Sequence, residues 1–143
     1  MPSDVRTVLD TNTVVSALLF GGVPRQLLDL GRTGELALYT SERMLDELVD
    51  VPSRSKFDER LAAAVPPATP ASLLQRYRAL ATIVTPGPIE RTVPTDAADD
   101  MVIATALAAS VELIVTRDSD LLMMHPFRGM QILASAMVVE IVS

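Results

Sequence analysis

Short β-rich runs alternate with helical segments along almost the whole of this chain. Val5 to Leu9 reads as a strand that ends at Asp10. An apolar stretch from Val14 to Phe20 follows, closed by Gly21-Gly22. Pro24 suits a helix start, Leu27 and Leu28 face inward, and Gly34 ends that helix. Leu36 to Thr40 reads as a second strand. Ser41 is placed to cap a helix over about 42–50, which Pro52 stops. Helical stretches are expected over 56–65 and 71–81, separated by prolines, with a short extended piece over 82–85. Residues 86–95 hold three prolines and a glycine and read as a loop. Asp99 to Ala109 is apolar nearly all round, which predicts a buried helix. A strand over 112–116, a polar turn over 117–120, a helical turn over 121–124, a strand over 130–133 and a short helix capped by Ser135 complete the pattern. Strands that alternate with helices predict an α/β fold around a mainly parallel sheet.

Length and composition narrow the classes. The chain has 143 residues, which fits one domain over 1–143. A domain of about 150 residues buries roughly 70% of its unfolded surface. Hydrophobic residues make up 49%, which argues against disorder. There is no cysteine and one histidine, His125, so disulfides, thiolate sites and His-rich zinc sites are set aside. His125 reads as a surface or turn residue. The N-terminus lacks the basic flank and apolar run of a signal peptide. No apolar run approaches the ~20 residues of a membrane span. A cytoplasmic location is the expectation, with no membrane contact.

Acids stand where such a fold exposes its ligand site. In open α/β sheets, ligands bind beyond the carboxyl ends of strands, at a switch in strand order. Asp10 sits at the tip of the first strand and Asp118 just past the tip of another. If those strands are neighbours, both carboxylates share a rim. Each also reads as a local cap or turn residue: Asp10 for the helix that follows, and Asp118 as a turn residue with Asp120 capping the short helix after it. In the 42–50 helix, Met44, Leu45, Leu48 and Val49 form an apolar stripe. Glu47 lies on its shoulder, Asp46 and Asp50 beyond it. An exposed pair between Arg43 and Glu47 is the bland alternative. Asp100 shares a face with Ile103, Ala104 and Leu107, so it is expected to point inward. Asp96 lies one turn earlier on the same side, and Asp99 is expected to face away, solvated or capping.

Four carboxylates in one cleft repel strongly and resist desolvation. A divalent cation removes that conflict. Mg²⁺ and Mn²⁺ take oxygen ligands and keep several waters, and such sites act on phosphates. The formal net charge of −6 runs against a nucleic-acid partner, but bound cations invert the local charge. Eleven of the twelve basic residues are arginine, the side chain suited to bidentate phosphate contact. Arg117 is expected to face solvent, with phosphate contact as the alternative. Arg25 and Arg6 leave the same choice open. Leu121-Leu122 and Met123-Met124 read as core or as a dimer contact.

Val8-Leu9-Asp10-Thr11-Asn12, Met44-Leu45-Asp46-Glu47-Leu48, Asp99-Asp100-Met101-Val102-Ile103-Ala104-Thr105-Ala106 and Ile114-Val115-Thr116-Arg117-Asp118-Ser119-Asp120-Leu121-Leu122 stand in this order along the chain. Together they resemble the PIN-domain nucleases, including the toxin components of VapBC-type toxin–antitoxin pairs. The resemblance implies a three-layer α/β/α sandwich around a parallel sheet, often dimeric. It implies a Mg²⁺- or Mn²⁺-dependent ribonuclease in which Asp10, Glu47, Asp100 and Asp118 bind metal. Asn12 and Thr116 would orient them, and Asp120 and Asp96 would be accessory. RNA as substrate, and a small antitoxin protein in the active-site groove, follow from the same resemblance.

Three other classes share parts of this pattern. A phosphoacceptor receiver domain also carries aspartates at strand tips, but it needs a lysine near its last strand, and the only lysine is Lys56. A haloacid-dehalogenase-type phosphatase needs a second aspartate where Asn12 stands. A catalytically silent PIN-like binding module would keep all four acids without turnover.

Overall fold

The computed structural model describes residues 5–51, 54, 57–63, 68–87 and 97–142. Its elements follow in the order β1 (Val5–Leu9), α1 (Thr11–Leu19), α2 (Gly22–Thr33), β2 (Leu36–Thr40), α3 (Glu42–Asp50), α4 (Asp58–Ala63), α5 (Pro70–Leu80), β3 (Thr82–Ile83), α6 (Ala97–Ala109), β4 (Leu113–Val115), α7 (Ser119–Leu122), β5 (Gln131–Leu133) and α8 (Ser135–Val142). Asp96, expected as an accessory acid, lies outside the described residues.

The five strands form one sheet in the order β3-β2-β1-β4-β5. Every pairing is parallel. The chain builds outward from β1 through β2 to β3, then returns to add β4 on the other side of β1. The switch in strand order therefore falls between β1 and β4, where Leu9 faces Val115. The backbone N–H of Asp10 continues this pairing, donating to the Val115 carbonyl at 3.1 Å.

Side chains of successive strand residues point to opposite faces, and here both faces are covered. Leu9, Leu36, Leu38, Leu113 and Val115 pack with helices α1, α2 and α5 and with Val138 of α8. Val8, Ile114 and Ile132 pack on the other side with Met101, Val102, Ile103 and Ala106 of α6 and Leu121 of α7. The result is the three-layer α/β/α sandwich. Burial on both faces is complete at β4, where Leu113, Ile114 and Val115 form a continuous apolar run.

Two local devices fix the helices that matter for the rim. Ser41 caps α3, its hydroxyl accepting from the Met44 N–H, and the same hydroxyl meets that of Thr105 on α6 at 2.9 Å. Both residues are fully buried. Gly31 of α2 lies so close to Leu38 that an added Cβ would fall 2.7 Å from its side chain, so α2 rests almost directly on the sheet.

The polar turn expected over 117–120 is instead the start of α7. Asp118 caps that helix, its carboxylate accepting from the Asp120 N–H at 2.8 Å. Asp118 rather than Asp120 is thus the cap.

Candidate metal centre

Asp10 enters the site because β1 ends and α1 begins at this residue. Its backbone is extended, and its Oδ1 accepts from the Thr13 N–H at 2.9 Å. Capping thus accounts for one carboxylate oxygen. The other, Oδ2, accepts a hydrogen bond from the Thr116 hydroxyl. The Thr116 oxygen in turn accepts from the Asp118 N–H at 3.0 Å. One buried threonine thus ties the acid at the tip of β1 to the acid beyond the tip of β4. Asp10 is only 7% exposed, and each carboxylate oxygen retains a lone pair beyond the one it has used.

Glu47 reaches the same rim from α3. It is half-buried, and its Oε2 accepts from the hydroxyl of Thr11, the residue after Asp10, at 3.3 Å. Met44, Leu45 and Leu48 form the buried stripe of α3, as the shoulder placement of Glu47 requires. Arg43 forms no ion pair with any described residue, so the bland Arg43–Glu47 pair does not form.

Helix α6 delivers its acids differently from expectation. Asp100 is buried, at 1% exposure, but so is Asp99, at 6%. Carboxylate oxygens of Asp99, Asp118 and Asp120 lie within 4.8 Å of one another, near enough to share one cation. Asp100 is not in that group. The expectation that Asp99 turns to solvent is therefore corrected. The cause is burial on more than one side of α6: Leu107 is 39% exposed, but Met101, Val102, Ile103, Thr105, Ala106 and Ala109 are all buried, so Asp99 and Asp100 are both carried inward.

The remaining candidates separate cleanly. Asn12 is exposed and holds no acid among the described residues; Thr116, expected beside it as an orienting residue, donates to Asp10, and Thr11 donates to Glu47. Arg25 donates to the Ala17 and Leu18 carbonyls at the end of α1, at 3.3 and 3.1 Å. Arg6 donates to the Ala109 carbonyl at the end of α6 and lies over the Tyr39 ring. Both arginines are thus engaged at helix C-termini, Arg6 at the opposite end of the sheet from Asp10. Arg117 is exposed, as is His125, whose Nδ1 accepts from the Ile132 N–H at 2.9 Å.

Tyr77 of α5 joins the site without a signal in the sequence. It is 2% exposed, and its hydroxyl has no hydrogen-bond partner among the described residues. With Leu9, Thr11 and Thr40 it lines a small cavity beneath the rim. Burial first, and the nearby Asp10 charge second, push the phenol well above its ordinary value. No periodic signal singles out such a residue; it reads from sequence as one more core aromatic.

The donor set suits a hard divalent cation. Among the described residues it consists of carboxylate oxygens alone. The acids also differ in exposure, from buried Asp99 to exposed Asp120, so a cation held there would keep a face open to solvent. An all-parallel α/β/α sheet with an acidic cluster beyond its strand tips defines the class, an α/β protein with a candidate cation site. A model of the PIN domain matches residues 6–120, most of the chain, and the chain belongs to the PIN-domain family, whose members are generally nucleases. No curated protein matches it. Among the described residues, no helix is long and apolar enough to cross a membrane.

Proposed function

We propose that this chain is a Mg²⁺- or Mn²⁺-dependent endoribonuclease, the toxin of a toxin–antitoxin pair. The observation that carries the reading is the hydrogen-bonded continuity of acids across the switch point: Glu47 to Thr11, Asp10 to Thr116, Thr116 to Asp118, and Asp118 grouped with Asp99 and Asp120. Asp99 and Asp118 are assigned as metal-binding acids with Asp10 and Glu47, and Asp120 as accessory. Asp100, the neighbour of Asp99, is assigned to the wall of the site.

A divalent cation bound there supplies a water of lowered pKa and positive charge for the phosphoryl oxygens. The chain's own residues do the positioning. Thr116 and the Thr13 N–H hold both oxygens of Asp10 in place, and Thr11 restrains Glu47. The buried Asp99 holds the inner side of the cation, and the more exposed Asp118 and Asp120 face the entering strand. Such preorganisation is what favours in-line displacement at a phosphodiester. This chemistry needs no 2′-hydroxyl, and the assignment to RNA rests on the family. A cytoplasmic homodimer inhibited by a small antitoxin protein completes the proposal; Met123, 83% exposed, suits a contact between copies.

The test is cleavage of pooled RNA with Mn²⁺ or Mg²⁺ against EDTA, in wild type, Asp10→Asn and Asp118→Asn. Metal-dependent cleavage lost in both variants is expected. Cleavage indifferent to either substitution rejects the site, and no cleavage by folded wild type favours the silent binding module. The toxin assignment has its own check: a small adjacent reading frame with a DNA-binding N-terminus.

A further inference from the structure

A second concavity lies beside the acids, at the carboxyl ends of β2 and β3. It encloses about 280 Å³ and is bounded by Glu42, Arg43, Val84, Pro86, Gly87 and Met101. That is close to the lower end of the ~300–1,000 Å³ of small-molecule pockets, room for a single nucleotide. Its position is tied to the acid site on two sides. Met101 follows Asp100 on α6. Arg43 stands one turn before Glu47 on α3, and residues four apart share a helix face.

The lining is divided by chemistry. Val84, Pro86 and the thioether of Met101 are apolar, and a methionine sulfur makes favourable contacts with aromatic rings. Met101 is itself positioned, its sulfur 3.9 Å from the Ser41 hydroxyl. Two charged side chains stand on the rim. Glu42 is engaged by a two-pronged hydrogen bond from Arg78, at 2.9 and 3.0 Å, so its charge is largely answered. Arg43 is exposed and pairs with no acid among the described residues. An apolar pocket with one uncommitted guanidinium at its mouth fits a flat base with a phosphate attached.

Resting on the nuclease reading above, we propose that this pocket binds one nucleobase of the single-stranded RNA substrate, with Arg43 on the adjoining phosphate. The pocket then selects which nucleotide lies next to the scissile bond. Base contact supplies selection and the phosphate contact supplies register.

The test labels the methionine methyl groups with ¹³C and titrates a short single-stranded RNA in Ca²⁺, monitoring that the oligomer stays intact. Parallel arms use Arg43→Gln and Gly87→Leu. An added Cβ at Gly87 meets nothing within 4 Å, so leucine there takes up pocket space without strain. The Met101 methyl is expected to shift in wild type and to stay still in Gly87→Leu. Arg43→Gln is expected to weaken RNA binding several-fold and reduce the salt slope by about 0.7, the value for one single-strand phosphate contact. Gly87→Leu is expected to change the base preference of cleavage in Mn²⁺. RNA bound and cleaved with Met101 unmoved, and with affinity and cleavage pattern unchanged in both variants, overturns the subsite and leaves the nuclease reading standing. No RNA binding and no cleavage by wild type overturns both.

Discussion

Helices α3 and α6 bring acids to the same rim by different physical means. Helix α3 is amphipathic. Met44, Leu45 and Leu48 anchor it, and Glu47 reaches the rim from the edge of that stripe, half-buried and steadied by Thr11. Helix α6 has no polar side over its first turns: Met101, Val102, Ile103, Thr105 and Ala106 are all buried. Its acids are therefore carried into the interior, where a charge without compensation is costly. The contrast teaches that the carboxylate from α3 tolerates water, whereas those from α6 depend on what neutralises them. Metal binding should consequently matter more to α6 than to α3.

The largest effect expected from this contrast separates the two neighbouring acids of α6. Asp99→Asn should lower Mn²⁺ affinity by more than the ~100-fold seen for outer-shell changes, with loss of cleavage. Asp100→Asn should cost less, because its carboxylate is not in the group that shares a cation. Calorimetric Mn²⁺ titration of both variants decides the matter; equal losses would abolish the distinction. Wild type should also gain thermal stability on adding Mn²⁺, since a ligand that binds only the folded state raises the melting temperature. That gain should nearly vanish in Asp99→Asn and shrink less in Glu47→Gln.

Next comes the threonine that joins the two strand tips. Thr116→Val keeps the shape and removes both the bond to Asp10 and the acceptor for the Asp118 N–H. Its expected cost is about 10–100-fold in metal affinity, the range for groups that orient ligands. Thr116→Ser should restore most of it. Failure of serine to rescue would mean the methyl packing, not the hydroxyl, is what the site needs.

The two helices also differ in how far they were legible. Helix α3 has a cap at Ser41 and a clear stripe, so Glu47 could be placed from residue spacing alone. The parallel sheet was equally readable from the alternation of strands and helices, but its switch point depended on the strands that end near Asp10 and Asp118 being neighbours, which the order β3-β2-β1-β4-β5 supplies. In α6 apolar residues lie on every side, and periodicity gives no phase. The face shared by Asp100, Ile103, Ala104 and Leu107 reads as the inward one, and Asp100 is indeed buried, but Leu107 is exposed while Thr105, Ala106 and Ala109 are buried, so burial extends round the helix and takes Asp99 in as well. Asn12 failed for a different reason: a helix's second residue points away from the cap that precedes it, and backbone and threonine donors met Asp10 first. Tyr77 depends on contacts between residues distant in sequence, which no pattern within α5 encodes.

A smaller effect probes the link between the two helices. Ser41 caps α3 and meets Thr105 of α6. Ser41→Ala removes the cap and leaves a buried hydroxyl on α6 without its partner. The expected loss is about 1–3 kcal/mol in chemical denaturation. Ser41→Ala together with Thr105→Val should recover part of it, since removing both partners of a buried pair costs less than removing one. Strict additivity of the two losses would show that the helices are not coupled through this contact.

The smallest effect lies behind α3, where Tyr77 of α5 packs against Leu45 and Leu48. Its hydroxyl is buried with no described hydrogen-bond partner, so Tyr77→Phe removes a desolvated polar group and keeps the ring. The variant should be as stable as wild type or up to about 1 kcal/mol more stable at neutral pH. The pH dependence has a definite sign. Burial and the Asp10 charge raise the phenol above its ordinary value of 10.0, so the folded state holds its proton more firmly than the unfolded state. The resulting stability is fully present below pH ~10 and is lost as pH rises from there toward the folded value. Alkaline denaturation of Tyr77→Phe should accordingly begin at higher pH. A clear loss of stability at neutral pH would give the opposite answer. The adjoining cavity is about 10 Å³, the least space that admits a water, and the hydroxyl would then be held by that water beneath Asp10.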